Sequence, residues 1–140
     1  AKLFIEMIEL KKFIELFEKS LQTLTDILQK RKKSVDKDIL RDATIQRFEY
    51  NADVFWKLLK VFLFHQHGMA CQSPKSCIRE AFNNGLVNEQ ECALLLEMMD
   101  DRNLTSHTYH FDLFEKIFIK IIDYEKIMRE VLNRIKNSIN

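Results

Sequence analysis

At 140 residues the chain has the length of a single domain, with room for a substantial core. Two glycines and one proline, against 46% apolar and 31% charged residues, exclude a turn-rich all-β fold and favour long helices with short connections. A formal net charge of +1 offers no bulk attraction for nucleic acid, so any such binding must rest on a local patch.

The helical period is clear over residues 1–30, where Leu3, Met7, Leu10, Ile14, Phe17, Leu21, Leu24 and Leu28 recur at three and four. The basic segment Lys30-Arg31-Lys32-Lys33-Ser34 follows, reading as cations at a helix C-terminus beside a solvated loop. A second long helix is expected from near Asp36 to about His65. Its apolar stripe is Ile45, Phe48, Ala52, Phe55, Leu59 and Phe62, with Trp56 beside it. Asp42, Gln46, Glu49 and Asp53 form a polar stripe on a neighbouring face. Such a row faces solvent or pairs with cations of another subunit, which makes Asp42 and Glu49 secondary site candidates.

Gly68 closes this element, and residues 66–72 read as a loop. Ser73-Pro74 is an N-cap followed by proline at the first helical position, and Asn83-Asn84-Gly85 stops the short helix they open. Asn88 caps a fourth helix through Ala93, Leu96 and Met99 towards Arg102. A last helix begins after His110, with Phe114, Ile117, Phe118, Ile121, Ile122, Tyr124, Ile127, Met128, Val131 and Ile135 as its apolar positions. The fold class is all-α: an antiparallel four-helix bundle with one additional short helix, spanning residues 1–140 as one domain.

One segment gathers chemistry: Arg102-Asn103-Leu104-Thr105-Ser106-His107-Thr108-Tyr109. Arginine carries a permanent charge on a planar fork suited to phosphate, and histidine moves protons near neutral pH. On a continuous helix, positions five apart are rotated by roughly 140°, so Arg102 and His107 meet at one phosphate only if the helix ends between them. Asn103, Thr105, Ser106 and Thr108 are weak helix formers, which predicts a break there. A capping turn whose Arg and His bond nearby carbonyls fits the same letters.

The segment resembles the motif of HEPN-domain ribonucleases, and more narrowly of HepT-like proteins. The resemblance extends through Arg41-Asp42-Ala43-Thr44-Ile45-Gln46-Arg47-Phe48-Glu49-Tyr50, Trp56-Lys57-Leu58-Leu59-Lys60, Ser73-Pro74, Ile78-Arg79-Glu80-Ala81-Phe82 and Gly85-Leu86. Together these look like the nucleotidyltransferase substrate-binding family. Leu95 departs from it, standing where many relatives carry tryptophan, and the loop with Cys71 and Cys77 is unlike the usual sequence. The resemblance implies a homodimer with two motifs facing one cleft and a separately encoded minimal nucleotidyltransferase as partner. It further implies metal-independent cleavage of RNA that leaves 2′,3′-cyclic phosphate ends. His107 would be the proton carrier, Arg102 the stabiliser of phosphoryl charge and Asn103 an orienting amide. Tyr109 would be the residue to which the partner adds AMP, or an RNA contact. The alternative is a non-catalytic substrate-binding subunit of a two-component nucleotidyltransferase.

No cofactor is expected, since the chain carries no Gly-rich phosphate loop, recognisable metal-binding carboxylate pair or serine nucleophile elbow. His65, His67, Cys71 and Cys77 match no common zinc spacing, so no metal is assigned. Cys71, Cys77 and Cys92, an odd number without a secretory signal, read as reduced thiols of a cytoplasmic protein. The apolar stretch from Val54 to Phe64 is broken by Lys57 and Lys60 and is too short to span a bilayer.

Overall fold

The computed structural model describes residues 2–30, 37–107 and 111–139. Five helices account for most of them: α1 (Lys2–Lys30), α2 (Lys37–His67), α3 (Pro74–Asn83), α4 (Glu89–His107) and α5 (Phe111–Ile139). None of them is long and apolar enough to cross a membrane.

Side-chain bonds give the register of the four long helices. Ser20 pairs with Asn51, and Arg47 donates to the Thr23 carbonyl, so α1 and α2 run antiparallel. Lys136 meets Glu18 while Arg129 donates to Thr25, which sets α5 antiparallel to α1. Arg102 meets Asp53 and Thr105 meets Glu49 across α2 and α4. Arg134 meets Glu91 and Tyr124 meets Asp101 across α5 and α4. The cyclic order is therefore α1-α2-α4-α5, with every neighbouring pair antiparallel. The α2 and α5 diagonals lie parallel and close, since Phe48 stacks on Tyr124 with ring centroids 5.6 Å apart. The expected all-α architecture is the one observed.

Helix α2 touches all four other helices, which explains burial on more than one face. Its expected stripe of Ile45, Phe48, Ala52, Phe55, Leu59 and Phe62 is buried, together with Thr44, Asn51, Val54, Leu58 and Leu63. Two positions depart from the expected registers. In α4 the core residues are Cys92, Leu95, Met98 and Met99, whereas Ala93 is exposed. In α5, Ile122 is half exposed rather than core.

The helix ends follow local chemistry. Gly68, at φ 64°, donates to the Phe64 carbonyl, while Met69 donates to that of Leu63. The Gly68 bond is an αL stop, and it uses a left-handed conformation that glycine adopts without strain. Ser73 and Ser76 cap α3 reciprocally, with proline in its first turn. Asn88 and Glu91 do the same for α4: the Glu91 N–H reaches the Asn88 side chain at 2.8 Å, and the Asn88 N–H reaches the Glu91 carboxylate at 2.9 Å.

Two sequence expectations are overturned. Helix α4 continues to His107, so there is no break between Arg102 and His107. Cys71 and Cys77 are joined in a disulfide across six positions rather than held as reduced thiols, while Cys92 is free and buried.

Candidate functional site

The site forms where α2 and α4 cross, because each presents polar residues at helical spacing. Glu49 and Asp53, four apart on α2, share a face, as do Arg102 and Thr105, three apart on α4. Arg102 Nε and Nη2 donate to the two oxygens of Asp53 at 3.2 and 2.9 Å, and Nη1 donates to Glu49 Oε2 at 3.1 Å. The Thr105 hydroxyl reaches the same Glu49 oxygen at 3.0 Å and the Arg102 carbonyl at 2.9 Å. The hydrogen bond to Asp53 raises the Arg102 pKa above its ordinary value, against the opposing effect of partial burial. A guanidinium has five N–H donors. Three are engaged here, and two carry no partner among the described residues.

A second set of bonds holds α4 from the opposite side. Asp101 is buried and accepts from the Tyr124 hydroxyl on α5 and, at 3.4 Å, from Lys120, which also meets Glu97 at 2.8 Å. Burial is the main reason that Tyr124 is pushed far above the ordinary tyrosine range, and the bond to Asp101 adds to it. Consecutive residues Asp101 and Arg102 thus tie α4 to α5 and to α2, respectively, and fix the rotation of its C-terminal turns.

A cavity of about 250 Å³ opens beside the guanidinium, lined by Asp53, Lys75, Arg102 and Asn103, with Met99 and the start of α3. Of the residues singled out from the sequence, Arg102, Asn103 and Glu49 come together here. Asp42 does not: it pairs with Arg41 at 3.5 Å, two turns of α2 away. His107 closes α4, and its side chain lies outside the described residues, as do Thr108, Tyr109 and His110. With the helix unbroken, positions 102 and 107 lie roughly 140° apart around α4. At Glu49 and Asp53 the polar stripe of α2 finds its cation in the motif arginine of the same chain, while Asp53 stays partly open to solvent. Asp53, Asp101, Tyr124 and Lys75 were missed as site residues. The signal for Asp53 was present in the stripe, but nothing local tied it to an arginine 49 positions later. No group of three or more His, Cys, Asp or Glu among the described residues is placed to hold a metal ion.

The model of the family described as nucleotidyltransferase substrate binding protein like matches residues 12–137. The chain belongs to this family. A crystal structure of a Thermus thermophilus protein, 42% identical, superposes with a TM-score of 0.78 over 85% of this chain and 98% of that one. Two more distant structures, each 15% identical and covering 91% of this chain, share the fold. One is the toxin–antitoxin MntA–HpeT mutant, at TM-score 0.73 with 97% of that chain covered. The other is the tri-AMPylated Shewanella oneidensis HEPN toxin in complex with an MNT antitoxin, at 0.72 with 96% covered. No curated protein matches the chain. The resemblance to the nucleotidyltransferase substrate-binding family is borne out by the family match, and the expected fold by the two distant structures.

Proposed function

We propose that this chain is the HepT-like partner of a separately encoded minimal nucleotidyltransferase and a metal-independent endoribonuclease that the partner neutralises. The observation that carries the reading is the state of Arg102. Its position is fixed by three bonds, and two donors remain beside a cavity that Asn103 also lines. A held guanidinium with spare donors suits a phosphoryl group whose charge grows in the transition state. In the reaction, the ribose 2′-oxygen forms a bond to phosphorus and loses its proton to a base. The bond from phosphorus to the 5′-oxygen breaks, and that oxygen takes up a proton. The products are a 2′,3′-cyclic phosphate and a 5′-hydroxyl, and no further reactant is required. His107 serves as base or acid in this scheme.

The separation of positions 102 and 107 around one helix favours a homodimer in which two motifs share a cleft, each copy supplying one of the two groups. Tyr50 and Leu104, exposed next in sequence to Glu49 and Asn103, are apolar surface suited to such a contact. The AMPylated state of the Shewanella toxin supports assigning Tyr109 as the acceptor of AMP from the partner, where added bulk and negative charge would repel RNA. A non-catalytic substrate-binding subunit is the second reading. It is favoured by the two carboxylates on Arg102, which leave the crossing without surplus positive charge.

Incubation with single-stranded RNA tests the first reading. Wild type is expected to cleave, and Arg102→Ala and His107→Ala are expected to be inactive. With the partner nucleotidyltransferase and ATP, wild type is expected to gain AMP mass and Tyr109→Phe is not. Modification without cleavage by any preparation would select the second reading.

A further inference from the structure

The cavity beside Arg102 contains a second cation that the catalytic reading leaves unused. Lys75 lines it from α3 and reaches across to Asp100 of α4. Its placement is unfavourable for helix stability. Lys75 lies in the first turn of α3, which holds no acidic residue, so its charge opposes the positive end of the helix dipole. Charges placed against a local rule are where functional or strained sites are expected.

The two cations also differ in how firmly they are held. Arg102 is 21% exposed and holds two carboxylates, Glu49 at 25% and Asp53 at 43%, whereas Lys75 and its partner Asp100, joined at 2.5 Å, are 39% and 58% exposed. An exposed lysine pair is weak and screened, so Asp100 is readily exchanged for another anion. The bidentate arginine stays in place.

The geometry points to Lys75 as a subsite for a backbone phosphate of the bound RNA strand, one that neighbours the phosphate held at Arg102. The inference rests on the RNA-binding part of the proposed function. The cavity is smaller than the roughly 300–1,000 Å³ typical of drug-sized ligand sites, and so suits a phosphodiester more than a whole folded base. Asn103 and the start of α3 complete its wall. In this arrangement Arg102 aligns the scissile phosphate, and Lys75 holds the strand by trading Asp100 for the adjacent one.

The test is binding of a fluorescein-labelled, fully 2′-O-methylated single-stranded RNA oligomer, which cannot be cleaved, followed by anisotropy across a salt series. Each neutralised phosphate of a single strand contributes about 0.7 to the slope of log K against log salt. Lys75→Ala is therefore expected to lower the slope by about 0.7 and weaken binding about tenfold at low salt. Lys75→Arg should keep the slope, and Asp100→Asn should tighten binding. Lys126→Ala, in a separate groove between α4 and α5, should leave the slope unchanged. A purely structural Lys75–Asp100 pair would give equal destabilisation in Lys75→Ala and Asp100→Asn with no change of slope, and would overturn the subsite. Failure of wild type to bind the oligomer would overturn it as well. Binding with the expected slopes but no cleavage of an unmodified strand would remove the catalytic reading and leave the subsite standing. Cleavage with an unchanged Lys75→Ala slope would do the reverse.

Discussion

Replacing Asp53 by asparagine separates two roles that the crossing of α2 and α4 allows for this carboxylate: aiming Arg102 or blocking it. The asparagine oxygen can accept one of the two bonds now made at 2.9 and 3.2 Å, but its amide then faces the other guanidinium N–H as a donor against a donor. Two dry charge-assisted bonds would be worth roughly 1.5–3 kcal/mol each. Asp53 is 43% exposed, so solvent screening brings the expected loss of stability to about 1 kcal/mol. Urea denaturation reads this directly. Under the proposed function the larger effect falls on catalysis. Arg102 keeps its charge and its bond to Glu49 but loses its fixed orientation, so kcat should fall roughly 10- to 100-fold. One negative charge is removed beside the proposed RNA site, so KM should stay level or fall. Steady-state cleavage of an RNA oligomer gives both constants. A rise in kcat/KM with kcat retained would show that Asp53 occludes Arg102, and would refute the positioning role.

Tyr124→Phe leaves Asp101 buried with Lys120 as its remaining partner across to α5 and should destabilise by about 1–3 kcal/mol in urea. Tyr124 is raised in the fold, so its stabilisation is complete below the ordinary value of 10.0 and is lost as pH climbs above it; the wild-type stability should fall there by up to about 1.4 kcal/mol per pH unit, with a flatter limb in Tyr124→Phe. Glu91 is lowered, chiefly by its bond to Arg134, so Glu91→Gln should cost about 1 kcal/mol above the ordinary value of 4.5 and converge on wild type as pH falls below it, a comparison that thermal melts at several pH values make. Cys71→Ser with Cys77→Ser opens the loop of six positions and should lower stability by about 2 kcal/mol, and intact-mass measurement before and after reduction should differ by two hydrogens in wild type alone. Mixing inactive Arg102→Ala with inactive His107→Ala should restore part of the cleavage activity if two copies build one cleft; a mixture as inactive as its components counts against the shared site.

The bundle was legible because its apolar spacing is regular and its stops are chemical. Phe48, Phe55 and Phe62 mark one buried line of α2, and Ser73-Pro74, Gly68 and Asn88 mark ends that the structure keeps. The end of α4 was misjudged for a physical reason. Asn103, Thr105 and Ser106 are weak helix formers, but Thr105 bonds back to the Arg102 carbonyl and out to Glu49, and Asp101 anchors the preceding turn to Tyr124. These tertiary bonds outweigh local propensity. The register of α4 was also read one position late, because Ala93, Leu96 and Met99 form an apolar line beside the buried Cys92, Leu95 and Met98, and only Met99 belongs to the core as well. The Cys71–Cys77 bridge was beyond the letters, since only the turn into α3 brings their Cα atoms to 5.2 Å. Arg102 and Asn103 were readable as a motif. Their partner Asp53 and neighbour Lys75 come from other helices, and no spacing along one chain announces a crossing.

The chemistry of the new RNA ends tests the central claim most directly. Purified protein is incubated with a short single-stranded RNA in excess EDTA, and the fragments are weighed by mass spectrometry. Wild type is expected to leave 2′,3′-cyclic phosphate and 5′-hydroxyl ends, with no such fragments from Arg102→Ala. Fragments with 5′-phosphate ends, cleavage that needs added magnesium, or equal cleavage by Arg102→Ala would contradict an endoribonuclease built on the held guanidinium.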